Sequence, residues 1–311
     1  MEGNLYYDLE GWTSEASATE QRNYYFNLAR DLSLANRKEM TQCTTKGVPL
    51  VYHCRVTIVR PYGDEEDVIL TSKGHTAQQN WVTRNAAVKT HFAREAMYKN
   101  AGVKKSERGR YDKTLKLNYN QETQTWALPE FSDQSAFYGL SGSDWDPSTI
   151  AIDDDAALVP TLFGPIVNEE SAVNATTFNI QNAYLASRRK PQVDDLDAGE
   201  DVAASSILRQ MFTVDDERDD EIQALTQVVG DSTPYDSDSV QGTFTSESVA
   251  AYGAVGTYAA PQITFDVDVP FGLMAWELRK KTIDGANTAA AGMKDAVPFH
   301  VEVLGISEMQ G

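Results

Sequence analysis

The sequence of 311 residues predicts a mainly β protein, an antiparallel β-sandwich that carries one or two helices. Three observations predict this class. Short segments alternate apolar and polar residues with a period of two, long connections rich in Asp, Ser, Thr and Gly separate them (residues 141–155 and 230–245), and only two stretches have the marks of a helix. Such alternation is typical of strands with one solvated face, and long polar loops suit the ends of a sandwich better than an alternating α/β fold.

The clearest strand is predicted at residues 49–59, where apolar and polar side chains alternate. The apolar face would carry Tyr52, Cys54, Val56 and Ile58, and the polar face His53, Arg55 and Thr57. Because side chains on a strand point alternately to its two faces, only the first set would be buried. The same alternation predicts strands at residues 206–214, 262–269 and 297–303.

Two helices are predicted between the strands. Residues 77–101 place Trp81, Val88, Phe92 and Ala96 in one stripe at helical spacing, and Gly102 follows as a stop signal. Val82, Ala86 and Ala93 lie beside this stripe. We expect this stripe to pack on a sheet. Residues 215–228 begin with DDERDDE, and acidic residues in a first turn are favoured by the positive end of the helix dipole.

Charge is distributed unevenly along the chain. The formal net charge is −19, yet residues 1–127 carry +3 and residues 128–311 carry −22. Within the first part, residues 84–116 hold ten Lys and Arg against three acidic residues. An acidic protein repels nucleic acid and anionic lipid except where such a patch overrides its total charge.

Eight cations of this basic segment form the candidate binding site. We expect them to face nucleic acid or the anionic surface of a membrane. The alternative is a solvated helix face with a basic tail, which binds nothing. The eight residues are Arg84, Lys89, Arg94, Lys104, Lys105, Arg108, Arg110 and Lys113.

Motifs for enzyme chemistry are not found in the sequence. It has no nucleophile elbow, no phosphate-binding Gly-rich loop and no zinc helix, and its four histidines stand apart from one another. Asp144, Asp146 and Ser148 begin like a calcium loop but lack its turn glycine and closing glutamate. We therefore expect a protein that is not an enzyme, with no catalytic residues, no metal and no cofactor. No run of about 18 apolar residues predicts a membrane-spanning helix.

Four stretches resemble capsid proteins encoded by environmental single-stranded DNA viruses. The first is DLSLANRK at residues 31–38, with Gln42 and the strand at 49–59. The second runs from WVTRNA at 81–86 through MY at 97–98 and AG at 101–102 to RYDK at 110–113. The third is DDEI at 219–222 with GD at 230–231 and PYD at 234–236, and the fourth is VPFGL at 269–273. Together they touch about a third of the chain, in the expected order.

The resemblance implies a viral jelly-roll β-sandwich without a catalytic site: a major capsid protein that self-assembles into an icosahedral shell. The implied location is the virion capsid, assembled in the host cytoplasm. The implied partners are further copies of the chain, as homotrimers within a capsid lattice, together with minor capsid or vertex proteins. Packaged DNA or an internal lipid membrane would face the basic segment.

One departure from the family favours a double jelly roll over a single one. Single jelly-roll capsid proteins of eukaryotic circular DNA viruses usually begin with an arginine-rich arm, whereas the first 21 residues here contain no Lys or Arg. Double jelly-roll capsid proteins of tailless, membrane-containing bacteriophages need no such arm. We therefore expect a first roll at residues 1–150, including the helix at 77–101, and a second roll at residues 151–311.

Two other interpretations share this composition. One is a single jelly-roll capsid protein, and the other is a glycan-binding β-sandwich that serves as an adhesin or spike protein. A protein that stayed monomeric and bound glycans would favour the adhesin. An enzyme is the weakest alternative, because the sequence contains no catalytic motif.

Overall fold

A computed structural model describes residues 3–9, 21–60, 68–119, 131–133, 145–153, 156–162, 177–186, 247–255, 261–282 and 297–310. Twelve strands and three helices lie within these ranges. The strands are β1 (Asn4–Leu9), β2 (Gln21–Asn27), β3 (Leu50–Val59), β4 (Val68–Ala77), β5 (Phe131–Asp133), β6 (Ile150–Asp153), β7 (Ala156–Thr161), β8 (Thr177–Asn179), β9 (Glu247–Val255), β10 (Gln262–Pro270), β11 (Leu273–Thr282) and β12 (Val297–Glu308). The helices are α1 (Leu28–Asn36), α2 (Trp81–Asn100) and α3 (Ile180–Ala186).

Two main sheets form the protein. The first has the strand order β1-β12-β3-β10 and is antiparallel throughout. The second has the order β5-β2-β11-β4-β9 and is antiparallel except for the short edge strand β5, which runs parallel to β2. A small third sheet joins β6, β7 and β8. The fold is thus mainly β, as predicted.

Strand pairing joins the beginning of the chain to its end. Strand β1 pairs with β12, β2 with β11, β3 with β10, and β4 with β9. Successive pairs alternate between the first and the second sheet, so the chain runs as one two-stranded ribbon that winds around both. Both sheets therefore combine strands from either side of residue 150. The described strands do not divide into one sandwich at residues 1–150 and another at 151–311.

A hydrophobic core fills the space between the two sheets. Tyr52, Cys54, Val56 and Ile58 of β3 are buried, which confirms the predicted alternation, and Val51 at the start of the strand is buried as well. The predicted strands at 262–269 and 297–303 are likewise present as β10 and β12, whereas residues 206–214 lie outside the described residues. Phe299 is central, with its ring centroid 4.7 Å from that of Phe26 and 5.4 Å from that of Trp276. Burying each such side chain contributes about 1.5–3 kcal/mol.

Helix α2 confirms the predicted helix, but its buried face is shifted from the predicted stripe toward Val82 and Ala86, which were predicted beside that stripe. Asn80 caps its first turn by accepting a hydrogen bond from the backbone N–H of Thr83 at 2.8 Å. Phe92, expected in the packed stripe, is 60% exposed, and Ala96 is also exposed. The buried face instead carries Val82, Thr83, Ala86, Ala87, Thr90, His91 and Arg94. The small side chains of Ala86 and Ala87 let the helix approach its neighbours closely.

A second core covers the outer face of the second sheet. Leu273 and Ala275 of β11 pack there with the alanines of α2, with Leu115, Leu117 and Tyr119, and with Ile180 of α3. The second sheet is thus buried on both faces around Leu273 and Ala275, but Tyr252 of β9 is exposed; polar side chains cover the outer face of the first sheet.

The helices differ in part from those that the sequence predicts. Helices α1 and α3 were not predicted, and the helix predicted at 215–228 lies outside the described residues. None of the helices described here combines the length and the apolar character needed to cross a bilayer.

Candidate functional site

Arg94, one of the eight cations of the candidate site, lies inside the protein. It is 1% exposed, and its guanidinium pairs with the carboxylate of Asp112. It also donates to the backbone carbonyls of Asp112, at 3.2 Å, and Thr114, at 3.5 Å. Since a charge is buried only where it is paired and hydrogen-bonded, Arg94 fastens the segment after α2 to the helix and does not face a partner.

Arg108 strengthens the same attachment from the other side. Its side chain is 7% exposed, pairs with Glu95, and lies 4.1 Å from the ring centroid of Tyr98. The hydrogen bond from Arg108 lowers the pKa of Glu95 from its ordinary value. The hydroxyl of Tyr98 in turn donates to Asp112 at 2.7 Å. Arg94 and Arg108 thus hold residues 101–119, which we call the basic loop, against α2.

The other six predicted cations lie at or near the surface. Lys104, Lys105, Arg110 and Lys113 are exposed on the basic loop. Lys89 is exposed on α2, with its ammonium 5.8 Å from the ring centroid of Tyr184, and Arg84 is half-buried. The surface charge that remains available is therefore concentrated at residues 104–113.

The basic loop borders a cavity of about 260 Å³ beside helix α1, which we call the α1 cavity. The loop contributes Tyr111 and Lys116, and the ammonium of Lys116 lies 4.7 Å from the ring centroid of Trp145. Helix α1 and the residues after it supply most of the remaining wall. The lining residues are Arg30, Ser33, Leu34, Arg37, Lys38, Glu39, Tyr111, Lys116 and Trp145.

The charges around the α1 cavity do not cancel. Arg30 donates to the buried carboxylate of Asp31 at 2.9 Å, so that its charge is neutralised within the fold. Among the other charged residues of the lining, Arg37, Lys38 and Lys116 supply three positive charges and Glu39 supplies one negative charge. The cavity therefore favours an anion, although the whole chain is acidic.

Helix α1 ends in a way that presents two of these cations. The backbone of Arg37 has a φ of 52°, in the left-handed region that glycine or asparagine usually occupies at this position. The backbone N–H of Lys38 closes the helix on the carbonyl of Ser33 at 3.3 Å. Arg37 and Lys38 are both exposed at the rim of the cavity.

None of the residues that line the cavity was among the eight predicted site residues; Lys116 lay in the basic segment but outside those eight, and Arg37, Lys38, Tyr111 and Trp145 were not considered as site residues. The dipeptide Arg37-Lys38 was missed because α1 itself was not predicted, and its position beside the basic loop depends on folding over more than 70 residues of chain. Trp145 lies in a polar segment, and an aromatic residue between Asp144 and Asp146 was the one local signal available.

A chain of polar contacts lies on the outer face of the first sheet. His53 contacts Asp268 through Nδ1 at 2.6 Å and Ser307 through Nε2 at 2.8 Å. Serine hydrolases use this order of carboxylate, imidazole and hydroxyl. Here, however, the side chains of His53 and Asp268 are 42% and 52% exposed, and water screens an open site of this kind.

Cross-strand pairing accounts for the same contacts. His53 lies directly opposite Asp268, as Arg55 does opposite Asp266 and Thr57 opposite Thr264, and each pair is in contact. Partial burial raises the pKa of Asp268, but hydrogen bonds from His53 and Gln79 outweigh it and leave the pKa below its ordinary value. We interpret this row as polar pairs that hold the register of β3 and β10.

Cysteine and metal chemistry have little support in the described part of the chain. Cys43 and Cys54 are both buried and free of a disulfide. Burial raises the pKa of both thiols, so that neither is a reactive thiolate at neutral pH. Within the described ranges, no three His, Cys, Asp or Glu side chains are grouped so that they could hold a metal ion.

No protein-family model, curated protein or solved structure matches the chain. Its function must therefore be inferred from the arrangement of its own residues.

Proposed function

We propose that the chain is a structural protein, the major capsid protein of a single-stranded DNA virus, which self-assembles into an icosahedral shell. The observation that carries the proposal is the nested pairing of β1 with β12, β2 with β11, β3 with β10 and β4 with β9. We interpret eight strands that pair in this way and alternate between two sheets as a jelly roll, an architecture used by viral capsid and lectin domains.

We infer a single jelly roll and not the double one that the sequence favoured. Both sheets draw strands from both halves of the chain, which supports one roll. Residues 78–246 then connect β4 to β9, and this connection contains α2, the basic loop and the short edge strand β5.

Packaged single-stranded DNA is the proposed partner of the basic loop. Exposed Lys and Arg side chains at residues 104–113 would neutralise phosphates, and the acidic remainder of the chain would turn this surface toward the genome. A membrane is the less favoured partner, because the α1 cavity adds aromatic side chains to the cations, and base stacking uses both.

Assembly requires that the subunit meets copies of itself. We propose homotrimers within a capsid lattice, with minor capsid or vertex proteins at special positions of the virion, and assembly in the host cytoplasm. Stable contacts of this kind bury about 1,200–2,000 Å² each.

The oligomeric state of the purified protein tests this proposal. We expect mass photometry and negative-stain electron microscopy to show trimers or closed shells. The capsid proposal is wrong if the protein keeps the mass of one 34.4 kDa chain across micromolar concentrations and at both low and high salt.

A glycan-binding protein is the second candidate, and one observation favours it. Tyr6 is 59% exposed on the outer face of the first sheet and stacks on His300, with ring centroids 4.4 Å apart. Sugars bind to exposed aromatic rings flanked by polar groups, and jelly rolls also occur in lectins. The glycan-binding function would replace the capsid proposal if the protein stayed monomeric and bound glycans on an array, and if the Tyr6→Ala variant no longer bound them.

A further inference from the structure

The α1 cavity has the size of a site for one small group. Its volume of about 260 Å³ lies just below the roughly 300 Å³ at which sites for drug-sized ligands begin. It opens beside the basic loop, whose exposed cations would hold a polyanion along the surface. One unit of such a polymer could therefore enter the cavity while its neighbours stay outside.

The lining of the cavity combines two kinds of groups. Arg37, Lys38 and Lys116 supply positive charge, and Tyr111 and Trp145 supply aromatic rings. Tyr111 is 58% exposed, which leaves one of its ring faces available for stacking, while the guanidinium of Arg110 lies 5.8 Å from the ring centroid. Aromatic stacking beside phosphate-binding cations is how proteins hold single-stranded nucleic acid.

Trp145 also has a spare hydrogen-bond donor. Its indole N–H is buried and has no acceptor among the described residues. Buried indole N–H groups usually find a partner. A small rotation of the ring toward a bound base would therefore break no described hydrogen bond and could gain one.

We propose that the α1 cavity binds one nucleotide of single-stranded nucleic acid, with the base against Tyr111 and Trp145 and the phosphate near Arg37, Lys38 and Lys116. The inference rests on the proposed function, since it makes the cavity the place where the subunit holds the genome. A duplex hides the faces of its bases, so single strands bind better than duplexes of the same length.

Fluorescence anisotropy with a labelled 12-nucleotide single strand and the matching duplex tests the proposal. Tyr111→Ala is the decisive variant, because the side chain is exposed and its removal leaves the core intact. Phe92→Ala is its matched control, an aromatic residue of similar exposure outside the cavity. We expect Tyr111→Ala to weaken single-strand binding about tenfold and duplex binding less than twofold, and Phe92→Ala to change neither.

The cations are tested in the same assay. Lys38→Ala should lower the affinity for the single strand. It should also make that affinity less dependent on salt, because one phosphate contact is lost: the slope of log binding constant against log salt concentration should change by about one. Lys46→Ala, an exposed lysine away from the cavity, is the control. Photocrosslinking of 5-iodouracil DNA should label Tyr111 or Trp145 in the unmodified protein.

The outcomes separate the two proposals. Shells that form normally while Tyr111→Ala and Phe92→Ala bind single strands equally well would overturn the cavity site and leave the capsid proposal standing. A protein that stays monomeric but binds single strands through Tyr111 would overturn the capsid proposal and leave the cavity site standing. Binding to phosphatidylserine vesicles that depends on Tyr111, with no binding of DNA, would also overturn the nucleotide site.

Discussion

Individual side chains decide which charges of the basic segment can act on a partner. Counting Lys and Arg treats all eight predicted cations alike, but Arg94 and Arg108 are held inside by Asp112 and Glu95. The sequence contains these acidic residues, yet their separation of 18 and 13 positions gives no local signal of pairing. The pairs form only because the basic loop folds back on α2.

Replacing Arg94 by Met should destabilise the protein by about 2–3 kcal/mol, because it leaves backbone carbonyls of the basic loop without their donor. The cost lies below that of a fully buried pair, since the side chain of Asp112 is 41% exposed and can be hydrated. Urea unfolding measures it. Arg110→Met is the matched control and should change stability by less than about 0.5 kcal/mol. Equal effects of the two variants would contradict the attachment.

Glu277 gives the fold a dependence on pH. His75, whose Nε2 lies 3.8 Å from Oε2 of Glu277, is the first among the causes that lower the pKa of Glu277, and Arg279 and Lys73 add to it against partial burial. A carboxylate with a lowered pKa in the folded state stabilises the protein above its unfolded pKa, near 4.3, and loses this effect as the pH falls through the folded value.

Glu277→Gln should therefore be less stable than the unmodified protein at pH 7, with the difference shrinking between about pH 5 and pH 3. Thermal unfolding at pH 7, 5, 4 and 3 checks this, and Glu308→Gln, at an exposed position on β12, is the control. A difference that is constant over the whole range would show that Glu277 acts only through packing.

At the scale of elements, the position of α2 could be predicted and its orientation could not. Apolar spacing and Gly102 located the helix to within a few residues, because these signals are local. The buried face of the helix depends on what the helix packs against. Here it packs against β11 and the end of the basic loop, residues 115–119, and these contacts bury Ala86 and Ala87. Phe92 was assigned to the core from hydrophobicity alone, and it is exposed.

Substitutions of exposed cations in the basic loop should weaken DNA binding without affecting folding. Reversing Lys104, Lys105 and Arg110 to Glu should leave the midpoint of thermal unfolding nearly unchanged, because these side chains are exposed, while the protein loses single-stranded DNA. Arg108→Glu alone should lower the midpoint, because it places a carboxylate beside Glu95. If the triple variant packaged DNA into full particles, the basic loop would have no role in holding the genome.

At the scale of the whole molecule, local alternation predicted β3, β10 and β12 but could not give their order. Pairing of β1 with β12 joins residues that lie almost 300 positions apart, for example Leu5 and Val301, and no local pattern records such a contact. The predicted boundary at residue 150 rested on a change of charge and on the polar loop at residues 141–155. Charge describes the surface, whereas the sheets are set by which strands pair.

A fragment of residues 1–150 should therefore fail to fold by itself. Its strands β1, β2, β3 and β4 would lack β12, β11, β10 and β9, their partners in the two sheets. Circular dichroism and urea titration should show no cooperative transition for this fragment, and mixing it with residues 151–311 should restore one. A cooperative transition of the isolated fragment would instead support a separate roll in the first half.

The pairing of Ala77 with Glu247 has a consequence for the time course of synthesis. The chain leaves β4 and begins β9 at adjacent positions, with only the short edge strand β5 entering the second sheet in between. Closing even a long connection of this kind costs only about 0.6 kcal/mol for each doubling of its length. Ribosomes add about 5–20 residues per second, so β4 waits roughly 10–30 seconds for β9 to emerge. During that interval β3 and β4 have unpaired edges, and edges of this kind are where chains aggregate. The nascent subunit is therefore most vulnerable while residues 78–246 are being translated.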